Sequence, residues 1–500
     1  MDKKNWMSQL SNKLKLNQIC IPGSHDAGVY YNPIMRALST NPLLHKIFSL
    51  VYTQGLDTTG QLENGIRYFD VRPWSTSLAS AADIIKWIEG KIGFSIPESL
   101  VAEVIKALNL GEGDFVAHHE VPLGMRIADM VKAANDFVAS HSSEVVIFAF
   151  SHFEHFNGVD EKFIEVLLEN LQPTQRLVVE YGTNITEMLL SELKGKVILL
   201  IENDSMYKNS VKGKNKKGIY LVNEAHERTV DGVSLTVEFP LYDKYANEND
   251  YQTTVANQLC KFGKFAENKL FLLNWTMTAS GWALLPGKSG VEDYAEEINP
   301  RLLGCGHASD FLLQPNFYGK IVNIINGDFW EKSGDDVVKA CLKVMENRDR
   351  KLKAIKLVSK ADQPLKLLPI SKKEGEGGCH FNADHAMYNT WYKIHIRDNV
   401  YRLRNAGSGL YLRAATDGFW ASIFSSRDNN LLGSLQEDSD QNLDWHFEPL
   451  GDNTFHIVAC LRKKEGIKED RLDASHGNLY LHQPNDGEFQ KWVESSPDPL

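Results

Sequence analysis

Residues 18–28 read Gln18-Ile19-Cys20-Ile21-Pro22-Gly23-Ser24-His25-Asp26-Ala27-Gly28. A short apolar run stops at Pro-Gly, and the chain then presents a histidine and an aspartate. Further β-rich apolar runs follow the same design: Arg67–Val71, Phe115–His118, Glu144–Phe150, Val197–Ile201, Leu235–Phe239, Leu270–Trp275 and Ile321–Ile325. Amphipathic stretches such as Met130–Ser140 and Phe163–Leu171 lie between several of them. Strand–helix alternation implies parallel pairing, and about eight units predict a closed, TIM-like (β/α) barrel. A doubly wound sheet would open on a Gly-rich turn, which Pro22-Gly23-Ser24-His25-Asp26 is not.

The 500 residues, 43% hydrophobic and 24% charged, have the composition of an ordinary globular protein. A net charge of −11 argues against a general nucleic-acid coat, since phosphate binding wants a cationic surplus. The N-terminal segment has no apolar secretory core, and no run is long enough to span a bilayer. Six scattered cysteines without a C-x-x-C pair suggest neither a zinc site nor a disulfide framework. The expectation is cytoplasmic synthesis, with export by a route that needs no N-terminal signal left open.

Polar residues gather at the ends of the apolar runs. His25-Asp26 follow strand one, Asp70 and Arg72 strand two, and His118-His119-Glu120 strand three. Ser151-His152 follow strand four, Glu202 strand five, Asn274-Trp275 strand seven and Asp328 strand eight. Barrel enzymes place their chemistry at these strand ends. One histidine there would be an ordinary core histidine, but seven convergent strand ends would be costly to bury unpaired. A histidine pair can serve as general base and general acid across one atom, and an arginine between them suits an anionic phosphoryl centre. An aspartate on one histidine fixes its tautomer. The set suffices for phosphodiester cleavage with no metal and no other cofactor.

Ile21-Pro22-Gly23-Ser24-His25-Asp26-Ala27-Gly28, Gly65-Ile66-Arg67-Tyr68-Phe69-Asp70-Val71-Arg72 and His118-His119 resemble the X-region of bacterial phosphatidylinositol-specific phospholipases C. Ser143–Ile147, Leu193–Val197 and Ile325–Phe329 fit the same pattern, so the resemblance runs over about residues 5 to 335. It implies that His25 deprotonates the inositol 2-hydroxyl, that Asp328 orients His25, and that a cyclic phosphodiester forms. It further implies that Arg72 contacts the phosphate where calcium-dependent relatives hold Ca²⁺, so the chemistry is calcium-independent. His119 is then the general acid for the diacylglycerol oxygen, Asp26 completes the proton network, and Asp70 holds Arg72 or the phosphate region. Asp243 and Tyr245 are implied as head-group contacts, with His118, Ser151, Glu202 and Trp275 as further substrate-binding candidates. Ser151-His152 and Glu202 stand where this family tends to place Lys and Arg, which opens the head group to glycosylated inositols or other polar groups. Two other readings stay open: a glycan- or membrane-binding protein with a vestigial barrel, and a Mg²⁺-dependent phospholipase D-like lyase on sphingomyelin or lysophospholipids.

After about residue 350 the texture becomes short strands with Gly, Asn and Asp turns. Asn389-Thr390-Trp391, Asp444-Trp445 and Gln490-Lys491-Trp492 close three units whose tryptophans are 54 and 47 residues apart. This is similar to the all-β trefoil of ricin-type lectins, whose repeats end in Q-x-W, although only Gln490-x-Trp492 fits strictly. The expected division is a catalytic barrel over 1–345 and a trefoil over 351–500. The expected partners are a phospholipid head group at a membrane surface and a glycan or glycolipid for the trefoil, with no nucleic acid and no signal of oligomeric state. Candidate peripheral membrane contacts are the insertion Asp83–Leu110, the stretch Asn41–Tyr52 and the lysines of Tyr207–Lys217.

Overall fold

The computed structural model describes residues 2–31, 42–76, 86, 89, 95, 114–119, 122–265, 268–278, 290–302, 321–332 and 337–348. Beyond these it describes 353–360, 366–368, 378–380, 391–405, 411–414, 421–424, 444–451, 453–460, 470–473, 480–485 and 487–495. The insertion Asp83–Leu110, apart from three isolated positions, and Glu120 lie outside the described residues. These divide into two compact units, one up to Asn347 and one from Arg348.

The described residues of the first unit form twelve strands: β1 (Ile21–Ser24), β2 (Tyr68–Val71), β3 (Pro73–Ser75), β4 (Phe115–Ala117), β5 (Val145–Phe150), β6 (Lys196–Ile201), β7 (Ile219–Asn223), β8 (Glu227–Val230), β9 (Val233–Thr236), β10 (Phe239–Asp243), β11 (Leu270–Trp275) and β12 (Ile324–Gly327). Eight of them close a parallel barrel in the order β1-β12-β11-β10-β7-β6-β5-β2. This is a TIM-like barrel. Strands such as β5, VVIFAF, are buried at every position because the helices cover their outer faces.

Side chains alternate in and out along each strand. Ile21, Tyr68, Ile147, Ala149, Ile198, Leu200, Tyr220, Val222, Leu241, Leu272 and Ile324 fill the interior core. Continuing that period of two past the strand ends turns His25, Arg72, Ser151, Glu202, Glu224, Asp243, Asn274 and Asp328 inward.

Four expectations are corrected. The first strand begins at Ile21, because Leu16–Gln18 forms a single 3₁₀ turn. Pro22 is tolerated in it because its carbonyl accepts from Arg67 N (3.0 Å), one residue before β2 begins, so the N–H it lacks has no strand opposite. Phe115–His118 is not a barrel strand: β4 pairs antiparallel with β3 in a two-stranded ribbon. The eighth barrel strand is instead β7. Leu235–Phe239 is likewise split, between the β8–β9 hairpin and the barrel strand β10.

In the second unit, strand pairs run Lys353–Ser359 to Trp391–Arg397, on to Val400–Asn405, Trp445–Gly451, Thr454–Ala459 and Trp492–Ser495, and back to Lys353–Ser359. These six antiparallel strands make a closed ring. Three further pairs branch from it: Lys366–Leu368 with Gly378–His380, Tyr411–Ala414 with Ala421–Phe424, and Arg471–Asp473 with Tyr480–His482. Trp391, Trp445 and Trp492 each begin a ring strand and are fully buried in one core. The Trp445 indole donates to Leu412 O (2.9 Å) and the Trp492 indole to Leu472 O (3.0 Å), the same contact made twice. Gln490 is buried and ties down the preceding loop through Gln483 O and Asn485 N.

Two positions past each tryptophan stand Lys393, Phe447 and Glu494, and these three meet. Lys393 forms a buried ion pair with Glu494. Its Nζ also lies 3.7 Å from the Phe447 ring centroid and 4.1 Å from that of Tyr401.

Candidate active site

The segment after β1 makes a left-handed turn. Asp26 adopts a left-handed φ of 43°, and the Asp26 carbonyl accepts from Thr53 Oγ1 (3.0 Å). Strain of this kind concentrates at functional positions. Gly28, at φ 93°, passes so close to Met130 and Ala117 that a Cβ there would lie 2.6 Å from Met130 Sδ. The motif therefore needs glycine at its end. His25 is held through its backbone, its N–H on Gly327 O (3.1 Å) and its C=O on Gln54 Nε2 (2.7 Å).

Asp26 is the hub. Its Oδ1 pairs with Arg72 Nε at 2.6 Å. Its Oδ2 lies 3.3 Å from His25 Nε2 and 3.7 Å from His119 Nε2. The His25 Nδ1 pairs with Asp328 Oδ1 at 2.9 Å, and the His119 Nδ1 donates to Val51 O at 2.8 Å. Both imidazoles thus have one nitrogen anchored and the other turned to the same carboxylate, with ring centroids 6.4 Å apart. Burial opposes charge on His25, but Asp26 and Asp328 outweigh it and push its pKa up to about 9. Burial likewise opposes charge on Asp26, but Arg72, His25 and His119 hold it down at about 2. Burial also works against charge on Arg72, and Asp26 keeps that guanidinium firmly protonated. Burial raises the Asp328 carboxyl.

Arg72 is thus held by Asp26 and not by Asp70. Asp70 accepts instead from the Tyr245 hydroxyl (2.7 Å), and the Tyr245 ring stands 5.3 Å from His25. Asp243 accepts from Asn274 Nδ2 at 2.7 Å. A cavity of about 410 Å³ opens beside these groups, lined among others by Asp70, Ser151, Glu202, Glu224 and Asp243. Burial, with Asp243 and Asp70 nearby, raises Glu202 to about 7, and burial with Asp70 raises Asp243 to about 6.

The ligand atoms of His25, Asp26 and Asp70 lie within 4.8 Å of one another, a spacing that suits a cation. The Arg72 guanidinium already lies on Asp26 Oδ1.

Two sequence candidates are displaced. Trp275 sits at an outward position of β11, 1% exposed, with its indole donating to Ile298 O (3.1 Å); it packs strand against helix and cannot meet a ligand. His118 is buried edge-on against Trp74, and its Nε2 donates to His152 O at 3.1 Å. Burial pushes it down to about 4, so it stays neutral and supports the loop that carries Ser151. Ser151 is buried, with its Oγ 2.9 Å from His152 Nδ1. Asn274, named from the sequence only as a strand-end residue, and Glu224, not named there, join the site, and the period of two along β11 and β7 marks both as inward.

The expected membrane contacts change character. Lys208, Lys214, Lys216 and Lys217 pair with Asp231, Glu161, Glu165 and Glu180. Lys216 and Lys217 immediately precede β7, at the end of the barrel opposite the site. Phe48, Val51 and Tyr52 are buried in the core. Among the described residues, no helix is long and apolar enough to cross a membrane.

No family model matches the chain. It is 24% identical over 306 residues to the 1-phosphatidylinositol phosphodiesterase of Staphylococcus aureus strain Newman, covering 60% of this chain and 82% of that one. It is 24% identical over 278 residues to the enzyme of the same name from Listeria monocytogenes, covering 55% and 69%. A solved structure of the S. aureus phosphatidylinositol-specific phospholipase C aligns at a TM-score of 0.43 and 20% identity, covering 69% of this chain and 97% of that one. The sequence likeness relates this chain, over three fifths of its length, to the bacterial 1-phosphatidylinositol phosphodiesterases.

Proposed function

We propose that the barrel is a phosphodiesterase that cleaves the glycerol–phosphate bond of phosphatidylinositol or a related phospholipid. The observation that carries this is Asp26 touching His25, His119 and Arg72 at once, with Asp328 behind His25. The two imidazole Nε2 atoms both turn toward Asp26 Oδ2, and Arg72 lies on Asp26 Oδ1. A phosphoryl group there is flanked by one proton acceptor, one proton donor and one fixed guanidinium. His25 takes the proton of the ring 2-hydroxyl as that oxygen bonds to phosphorus. The P–O bond to the diacylglycerol breaks, and its oxygen receives a proton from His119. The products are diacylglycerol and a cyclic phosphodiester, and both histidines return to their starting states by proton exchange. The relatedness to enzymes named 1-phosphatidylinositol phosphodiesterase supports the same substrate class. Because His25 is protonated below about pH 9 in the free site, kcat/KM should rise with pH toward that value.

The reaction is assigned to the protein's own side chains, since Arg72 supplies the cation at Asp26. A metal-assisted lyase has one observation in its favour, the approach of His25, Asp26 and Asp70. Assays on phosphatidylinositol and choline lipids, with and without EDTA, separate the two. Turnover of the inositol lipid that survives EDTA is expected; turnover of choline lipids alone, abolished by EDTA, would overturn the assignment. Assigned to a trefoil, the second unit's six-strand ring with three branching pairs forms a module for a glycan or glycolipid. Binding of the full chain to a glycan array tests that role.

A further inference from the structure

Four consecutive residues, 51–54, are buried at the end of the helix Pro42–Val51 and touch both sides of the proton network. A helix leaves its last carbonyls without intrahelical partners. The Val51 carbonyl is one of these, and it accepts from His119 Nδ1 at 2.8 Å. Thr53 Oγ1 donates to Asp26 O at 3.0 Å, and Thr53 O accepts from Phe329 N at 3.1 Å. The Gln54 side chain donates through Nε2 to His25 O at 2.7 Å and to Gly327 O at 3.3 Å. Thr53 and Gln54 are themselves fixed, since both backbone N–H groups lie on Val29 O, at 3.1 and 3.2 Å.

Asp26 and Phe329 are the residues that need holding. Both are left-handed, at φ 43° and 45°. Aspartate visits this region at small cost, but a bulky side chain does not. Among the described residues, Phe329 is the only left-handed residue other than Gly, Asn, Asp or His. Such strain persists only where surrounding contacts over-determine it. Asp26 follows His25 in the chain and Phe329 follows Asp328, so each turn carries one of the two carboxylates that meet the His25 ring, at Nε2 and Nδ1. We propose, on the phosphodiesterase reading, that residues 51–54 are a positioning segment: they hold His119 and His25 in one frame and keep both carboxylates on His25.

The charged groups facing His25 are Asp26 on its own turn, Asp328 after β12 and Arg72 after β2, with His119 and Tyr245 as ring neighbours. Burial and Arg72 lower the pKa of His25, and the two carboxylates raise it. Loosening either turn weakens the raising influence, so the imidazole should lose its proton at lower pH.

Thr53→Val keeps the branched shape of the side chain and removes its donor, whereas Thr53→Ser keeps the donor. Both are made in the full-length protein and read by kcat/KM against pH on phosphatidylinositol and by NMR titration of the His25 imidazole. Thr53→Val should lower kcat by about tenfold or more with KM little changed, because small misplacements of reacting groups are costly. The rising limb of kcat/KM and the His25 titration should both move to lower pH by about half a unit or more. Thr53→Ser should restore both. A limb and a titration that stay in place in folded Thr53→Val overturn the proposal, as does a shift that Thr53→Ser fails to reverse. If Thr53→Val does not fold, Gln54→Met, which removes the donor to His25 O and Gly327 O, is read in the same way. If the wild type cleaves no phosphatidylinositol, the phosphodiesterase reading has failed. The His25 titration then judges the segment alone: a lower pKa in Thr53→Val supports it, and an equal pKa refutes it.

Discussion

Charge is buried both at the barrel mouth and at the centre of the second unit, but under opposite terms. Lys393 is enclosed by Tyr401 and Phe447 and closes on Glu494, three of the four groups coming from equivalent places in a repeat. Lys393 and Glu494 are both buried and are paired with each other. Asp26 is just as buried, yet the Arg72 and His119 side chains around it are 16% and 22% exposed. His25 Nε2 and His119 Nε2 stand beyond normal hydrogen-bond length from it, at 3.3 and 3.7 Å. A buried charge network closed on itself specifies a fold, whereas one that leaves protons and lone pairs facing a cavity is suited to chemistry.

The first way to break this comparison is His25→Ala. It should lower kcat/KM on phosphatidylinositol by about 10³-fold, within the range of general acid–base catalysis, with a smaller loss of stability than Lys393→Ala causes in the second unit. A large melting shift with modest kinetic loss would make His25 a structural residue like Lys393. The complementary variant, Lys393→Ala, leaves Glu494 buried without its cation. It should destabilise the second unit by about 3–5 kcal/mol in denaturant melts and leave cleavage untouched. Replacing both members of the pair by methionine should recover most of that loss, and failure to recover would mean that the aromatic cage, not the ion pair, carries the stability.

Asp328→Asn sharpens the comparison through pH. Asp328 is one of two carboxylates that raise His25 to about 9, so its loss lets burial pull the imidazole down. The rising limb of kcat/KM, which follows deprotonation of His25, should move to lower pH by about one unit or more, with a reduced plateau. An unmoved limb would disconnect Asp328 from the base. The smallest effect is expected for Trp275→Phe. It gives up one hydrogen bond to Ile298 O and should cost about 1 kcal/mol of stability with little change in kcat/KM.

The barrel was legible because its strand ends carry chemistry, and one misassigned strand did not hide this. Phe115–His118 delivers its histidine pair to the mouth although it lies in the ribbon with β3, because His118 N bonds to Arg72 O (2.9 Å) directly beyond β2. β7 escaped notice because it follows the lysine-rich stretch closely and gives way to a hairpin, not a helix, so alternation gave no cue. Trp275 and Asn274 show the remedy. They are adjacent, and only strand parity, counted from Leu270 and Leu272 in the core, says that Asn274 faces the barrel interior and Trp275 the helix layer. The link between Asp26 and Arg72 was not legible. It joins two strand ends, and only the left-handed turn at Asp26 determines which aspartate receives the guanidinium.

The central claim is that His25 and His119 cleave a phosphodiester by intramolecular attack. Phosphorus-31 NMR of phosphatidylinositol vesicles incubated with the full-length protein, wild type and His25→Ala, tests it most directly. The account predicts a cyclic phosphodiester resonance that grows with the wild type and is absent with the variant. An unchanged spectrum with the wild type, or equal product from both proteins, would contradict it.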